Sequence, residues 1–115
     1  MIIDSNPKIP DRTAAILGKG KSPLPAMIES AKTLERAGAD FIIIPCTPAH
    51  YWLGELQKEV AIPILDMIGE AVLAIKEDCV GLLATDGVLF SRVYHDACGR
   101  AQIKLLEPER DDQAL

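Results

Sequence analysis

The chain has 115 residues, of which 49% are hydrophobic and 25% are charged, proportions that are typical of a globular domain. Its formal net charge of −5 gives no electrostatic support to a nucleic-acid-binding role. No apolar run approaches the roughly 18 residues of a membrane span, and the N-terminus lacks the basic and apolar regions of a signal peptide, so no membrane role is predicted.

Apolar stretches alternate along the chain with segments in which apolar residues recur at helical spacing. In chain order the sequence predicts a strand at 1–4, a Pro- and Gly-rich loop at 5–21, a helix at 22–37, a strand at 40–45, a helix at 48–60, a strand at 62–65, a helix at 66–75, a strand at 79–84, a helix at 87–98 and a strand at 102–106. Ser22 and Asp66 are the predicted N-caps of two of these helices, and Gly38 is the predicted terminator of the first.

Strands that alternate with helices in this way are typical of βαβ units. The predicted fold class is therefore α/β, with a parallel sheet and helices on both faces. Sheets of this kind bind ligands outside the carboxyl ends of their strands. Three segments are expected to gather at that edge, namely the loop after Asp4, Cys46-Thr47-Pro48 and Thr85-Asp86-Gly87.

Cys46 ends the predicted strand at 40–45 and stands just before a predicted helix, with Thr47 as its N-cap and Pro48 at its first position. The free N–H groups and the dipole of a helix N-terminus favour an anion, and the thiolate is the reactive form of cysteine. Cys46 could thus act as a base or nucleophile, assisted by His50 one turn along. The alternative, which the spacing alone favours, is a small buried hydrophobe at a strand end with His50 on the surface.

The sequence predicts no metal site, because Cys46 and His50 supply two ligands and the remaining histidine, His95, belongs to a different predicted helix. The other two cysteines, Cys79 and Cys98, form no CxxC pair with each other or with Cys46. This pattern favours a reducing, cytoplasmic setting.

Arg12 lies in the polar loop with Asn6, and its planar guanidinium suits the bidentate binding of a carboxylate. An ordinary surface arginine is the alternative. Thr85-Asp86-Gly87 joins a strand to a helix and could present N–H groups to an anion, or Asp86 could be a plain helix cap. For both segments the residues alone favour the simpler interpretation.

Three stretches of the chain, "SNPKIPDRTAAILGKG", "LERAGADFIIIPCTPAHYW" and "GLLATDGVLFSRVY", resemble in order and spacing the aspartate racemase branch of the aspartate/glutamate racemase superfamily. The family pattern includes an N-x-x-I-P-D-R loop, P-C-N-T-A-H after a strand, and L-L-A-T-x-G-T. The resemblance is to the middle portion of the family chain. It implies an incomplete version of the two-lobed racemase fold, with residues 1–65 in the first lobe and residues 66–115 in the second.

Members of this family racemise amino acids without a cofactor. One cysteine thiolate removes the Cα proton, and a second cysteine delivers a proton on the opposite face. The resemblance implies that Cys46 is the first catalytic cysteine and that Arg12 grips a substrate carboxylate beside Asn6, while Thr47 and Thr85 fall in the substrate-binding motifs. The implied partner is a small acidic amino acid, aspartate, and neither a cofactor nor a metal is expected.

The chain also departs from the family pattern. Thr47-Pro48 replaces Asn-Thr, so an amide and an N–H group are lost, and Val88 replaces a threonine. The opening G-G-M-G-P turn is missing. The second cysteine of the family, in a late G-C-T-E motif, has no counterpart, because Cys79 begins a strand and Cys98 ends a helix. Missing strands would leave sheet edges and apolar faces exposed, so a homo-oligomer is expected.

Three functions stay open at this point. The chain could interconvert L- and D-aspartate, with its second base supplied by a partner chain. It could be a non-catalytic remnant that binds an acidic ligand at Arg12, or a one-cysteine relative like the decarboxylases of the superfamily. The absent second cysteine favours the last two, and the presence of Asn6, Arg12 and Cys46 favours the first.

Overall fold

A computed structural model describes residues 1–113 of the chain. Within these residues the β structure consists of one pair of parallel strands and one parallel bridge. Strand β1 (Cys79–Gly81) pairs with β2 (Lys104–Leu106), with Val80 opposite Leu105. The bridge joins Ile42 to Ile64. The predicted α/β class with parallel pairing is confirmed.

The remaining elements are helical. They are α1 (Arg12–Ile16), α2 (Leu24–Arg36), a 3₁₀ helix (Thr47–Trp52), α3 (Leu53–Gln57), α4 (Met67–Leu73), α5 (Asp86–Ser91), α6 (Val93–Arg100) and α7 (Arg110–Gln113). Within residues 1–113 no helix is long and apolar enough to cross a bilayer.

Local capping explains where several helices begin and end. The Asp66 carboxylate accepts the N–H of Gly69 at 3.0 Å, and Gly38 takes φ = 91° after α2, so both of these predictions are confirmed. Ser22 was predicted as the cap of α2, but Pro23 is the N-cap and the Ser22 hydroxyl accepts the N–H of Leu24 from one residue further out.

Helix α1 lies inside the segment that was predicted to be loop. Asp11 precedes it, and its carboxylate accepts the N–H of Ala14 at 2.6 Å. An Asp cap followed by two alanines is a helix start that the Pro and Gly content of the segment conceals.

The strands predicted near the N-terminus are wrong in extent. Residues 1–4 form no strand, and Met1 and Ile2 are exposed and line a cavity of about 520 Å³ together with Phe41 and Ile43. A strand requires a hydrogen-bonded neighbour, and an apolar run does not provide one. The predicted strands at 40–45 and 62–65 are likewise reduced to the bridge at Ile42.

The helix predicted at 87–98 is interrupted at Arg92, which adopts the left-handed region with φ = 58°. The Ser91 hydroxyl donates to the carbonyl of Val88 at 2.8 Å, which occupies a backbone acceptor in the last turn of α5. Because Arg92 is neither glycine nor asparagine, the sequence carries no signal for this break.

The buried apolar side chains form two clusters. The first cluster consists of Ile16, Met27, Ala31, Ile42, Ala49, Trp52, Leu56, Val60 and Ile64. The second consists of Ile68, Val72, Ala97 and Cys98. The division into lobes at residue 65 stays a prediction.

Candidate functional site

The three segments expected to gather at one edge of the sheet are in contact. Helix α1, in the loop after Asp4, touches both the 3₁₀ helix that follows Cys46 and the helix α5 that follows Thr85, and these two touch each other. The expected proximity of the three segments is confirmed. Helix α5 approaches α1 closely, because a Cβ placed on Gly87 would lie 2.6 Å from Oγ1 and 2.9 Å from Cα of Thr13.

The main chain of Cys46 is held at both of its polar groups. Its N–H donates to the carbonyl of Ile44 at 2.8 Å, and its carbonyl accepts the N–H of Ala49 at 3.1 Å. The ring Nδ1 of His50 lies 3.0 Å from the same carbonyl oxygen. The side chain is a free, half-buried thiol packed against the first core cluster. Three hydrogen bonds therefore fix the peptide groups on either side of this thiol.

Cys46, and not Thr47, is the N-cap of the 3₁₀ helix, so the predicted cap is wrong by one residue. Thr47 is its first residue and is half-buried. Pro48 fits the first turn because it has no N–H to satisfy.

His50 is buried, with 6% of its surface exposed, and the surface position considered for it is wrong. Its Nε2 accepts the N–H of Met67 at 3.3 Å, and its Nδ1 faces the Cys46 carbonyl. Both ring nitrogens thus have backbone partners. The structure therefore does not leave His50 free to assist Cys46 as a base.

Arg12 is half-buried, and its Nη1 donates to the carbonyl of Pro10 at 3.1 Å. Among the described residues no carboxylate pairs with its guanidinium, since the ion pairs there are Lys32 with Glu59 and His95 with Glu107. The binding of a carboxylate by this guanidinium stays a prediction.

Asn6 is turned toward helix α2. Its Nδ2 donates to the Ser30 hydroxyl at 3.0 Å and its Oδ1 accepts the N–H of Lys8 at 3.0 Å. Among the hydrogen bonds of residues 1–113, none joins Asn6 to Arg12. Asn6 shapes the loop that leads to α1, and its predicted role beside Arg12 stays a prediction.

Thr85 is the N-cap of α5, is exposed and makes no capping bond with its side chain. The alternative in which Asp86 is a plain cap is wrong, because Asp86 is the first residue of the helix and its carboxylate accepts the Gln113 amide at 3.3 Å. Gln113 also donates to the Ala84 carbonyl at 2.8 Å. Gln113, in α7, therefore contacts the residues on either side of Thr85. Nothing in the sequence predicts this contact.

The other two cysteines are not part of these three segments. Cys79 is exposed at the start of β1, at the opposite end of that strand from Thr85, and Cys98 is 1% exposed inside the second core cluster. Over residues 1–113 no group of three or more His, Cys, Asp or Glu side chains is placed to hold a metal ion.

Comparison with known proteins gives consistent matches. The profile of the Asp/Glu/Hydantoin racemase family matches residues 1–113. The chain is similar to the broad specificity amino-acid racemase RacX of Bacillus subtilis (strain 168), with 32% identity over 71 residues that make up 60% of this chain and 31% of RacX.

Two solved structures are also similar. Picrophilus torridus aspartate racemase superposes with a TM-score of 0.78 at 28% identity, covering 98% of this chain and 49% of that one. An aspartate racemase homologue from Pyrococcus horikoshii OT3 gives a TM-score of 0.69 at 26% identity, covering 79% of this chain and 42% of that one. The chain thus spans half or less of the length of these relatives.

Proposed function

This chain belongs to the Asp/Glu/Hydantoin racemase family, and from that membership we propose that it moves the Cα proton of a small acidic amino acid, with Cys46 as the base. The observation that carries the proposal is the placement of Cys46. Its thiol is half-buried, and three hydrogen bonds fix the main chain that carries it. The 3₁₀ helix after Cys46 contacts both α1, which contains Arg12, and α5, which follows Thr85. A base that removes the proton of one particular carbon atom must be held in a fixed position.

The proposed step is a proton transfer. The Cys46 thiolate takes the proton from Cα, and the electron pair of that C–H bond stays on the substrate, delocalised toward its α-carboxylate. Arg12 binds a carboxylate of the substrate through its guanidinium and stabilises the negative charge that develops. In this proposal Thr47 and Thr85 offer hydroxyl groups to the substrate, because they stand at the starts of two helices that are in contact.

The stereochemical outcome depends on which face returns the proton. A proton from a second base on the opposite face gives the D-enantiomer, whereas its return from Cys46 restores the L-form. Neither Cys79 nor Cys98 suits the role of second base, because one begins β1 and the other is buried in the second core cluster. We propose that a partner copy supplies the second base.

The position of these two cysteines also favours a second candidate function. A chain with Cys46 as its one reactive thiol would exchange or deliver a proton on a single face, as a one-cysteine decarboxylase or exchange enzyme does. The exposed apolar side chains Phe41, Ile43 and Leu83 support association with a partner, and therefore the first candidate.

The proposed substrate is aspartate. The similarity to the Picrophilus torridus aspartate racemase supports it. The similarity to RacX, a broad specificity racemase, is a reason to test a wider panel of amino acids. A second carboxylate on the substrate would suit the guanidinium of Arg12, so acidic amino acids come first on that panel.

The test is proton NMR of L-aspartate with the purified chain in deuterated water, with chiral analysis of the product. Loss of the Cα proton signal with accumulation of D-aspartate supports the racemase. Loss of that signal with retained configuration supports the one-sided candidate. The Cys46→Ala variant is the control. The absence of exchange with aspartate, glutamate and a panel of neutral amino acids would overturn the proposal.

A further inference from the structure

His50 is the one buried polar or charged residue among residues 1–113, and it connects two parts of the chain. A buried polar group is almost always hydrogen-bonded, and each nitrogen of this imidazole has a backbone partner. Nδ1 lies 3.0 Å from the carbonyl oxygen of Cys46, and Nε2 lies 3.3 Å from the nitrogen of Met67.

The chemistry of the two partners assigns the tautomer. A carbonyl oxygen can only accept a hydrogen bond, so Nδ1 must carry the proton. A backbone N–H can only donate, so Nε2 must offer its lone pair. The tautomer of His50 that fits both partners is therefore the one with its hydrogen on Nδ1.

The two bonds join structures that pack in different cores. Ala49 and Trp52, in the same 3₁₀ helix as His50, belong to the first core cluster. Met67 begins α4, and the adjacent Ile68 belongs to the second cluster. Met67 also contributes one of the N–H groups that a helix start leaves without an intrahelical partner.

We infer that His50 is a positioning residue for Cys46. Its Nδ1–H fixes the orientation of the Cys46 peptide group, and its Nε2 ties that group to the start of α4, so that the thiol keeps one direction relative to both core clusters. This inference rests on the proposed role of Cys46, and it removes His50 from the set of candidate bases.

Two substitutions separate the two bonds. In His50→Asn the amide reaches about as far as Nδ1 and can donate to the Cys46 carbonyl. In His50→Gln the amide reaches about as far as Nε2 and can accept the N–H of Met67. His50→Leu removes both bonds and keeps an apolar side chain. The same substitutions at His95 are the matched controls, because its ring pairs with Glu107 and not with the Cys46 segment.

The readout is the rate at which iodoacetamide alkylates Cys46 in the full chain, followed by peptide mass spectrometry. Loss of the Nδ1 bond frees the peptide group, and we expect alkylation to be about fivefold faster in His50→Gln and His50→Leu, the factor expected for one ordinary hydrogen bond. His50→Asn should restore a rate near that of the unmodified chain, and the His95 variants should not change it.

Long-range proton–nitrogen NMR of the unmodified chain tests the tautomer without any variant. The Nδ1–H form is expected. The Nε2–H form, or an unchanged alkylation rate in folded His50→Leu, would overturn the inference. Neither measurement needs a substrate, so absent racemisation together with the expected tautomer and rates would count against the proposed function alone.

Discussion

A Cβ atom on Gly87 would lie 2.6 Å from Oγ1 and 2.9 Å from Cα of Thr13. Glycine is therefore what lets α5 approach α1 this closely. Arg12 immediately precedes Thr13, and Thr85 lies just before α5, so the contact sets the distance between two predicted substrate-binding residues.

We expect Gly87→Ala to destabilise the fold and to displace α1. One obstructing atom belongs to the backbone of Thr13, so rotation of a side chain cannot relieve the whole clash. Overpacking of this kind costs about 1–3 kcal/mol. Urea denaturation measures the loss in unfolding free energy, and KM for the substrate should rise because Arg12 moves with α1.

Gly99→Ala is the matched control, because a Cβ at Gly99 meets no atom within 4 Å in the helix α6. Alanine is about 1 kcal/mol better than glycine in a helix, so this variant should be no less stable than the original chain. Equal stability of the Gly87 and Gly99 variants would show that the contact with Thr13 is not tight.

Replacing Cys46 should abolish proton exchange at Cα of the substrate. Alanine has no basic group, and the hydroxyl of serine in Cys46→Ser is far less acidic than a thiol, so neither can replace a thiolate. Loss of the Cα proton signal in deuterated water measures the rate. Cys79→Ala, at an exposed position at the start of β1, should leave it unchanged. Full exchange in Cys46→Ala would remove Cys46 from the mechanism.

Arg12→Lys should weaken substrate binding more than turnover. The ammonium group keeps the positive charge but cannot bind a carboxylate through two parallel N–H bonds. The loss of one charge-assisted bond predicts a rise in KM of about tenfold or more. Arg36→Lys, at the exposed end of α2, is the control. An unchanged KM for Arg12→Lys would place the carboxylate elsewhere.

The sequence alone predicted the features that depend on local chemistry. The cap at Asp66, the terminator at Gly38 and the parallel direction of the strands β1 and β2 follow from capping groups and from the alternation of apolar strands with helices. Family motifs marked Cys46 and Arg12, which residue spacing alone did not distinguish from a buried cysteine and a surface arginine.

What could not be predicted depends on contacts between distant segments. The tautomer of His50 is assigned by Met67, 17 residues away, and no local pattern encodes that bond. The run 1–4 has the composition of a strand but has no hydrogen-bonded neighbour in the structure. The break at Arg92 places a residue of ordinary helix propensity in the left-handed region, against the local preference.

Gln57 explains how residues 62–64 are held in place although the segment has a single bridge to Ile42. Its Oε1 accepts the N–H of Ile64 at 2.7 Å, and its Nε2 donates to the carbonyl of Ile62 at 3.0 Å. The side-chain amide thus supplies one hydrogen-bond acceptor and one donor to the backbone of this segment, as the backbone of a neighbouring strand would.

We therefore expect Gln57→Leu to lower the free energy of unfolding by about 1–3 kcal/mol, because it leaves two partly buried backbone groups without a partner. Gln57→Glu keeps the acceptor for Ile64 and loses the donor to Ile62, so its loss should be smaller. Lys58→Leu, at the exposed neighbouring position, is the control and should change stability little. Because the bridge at Ile42 lies four residues before Cys46, Gln57→Leu should also speed the alkylation of that thiol. A stable Gln57→Leu variant with an unchanged alkylation rate would mean that the bridge holds the segment without the amide.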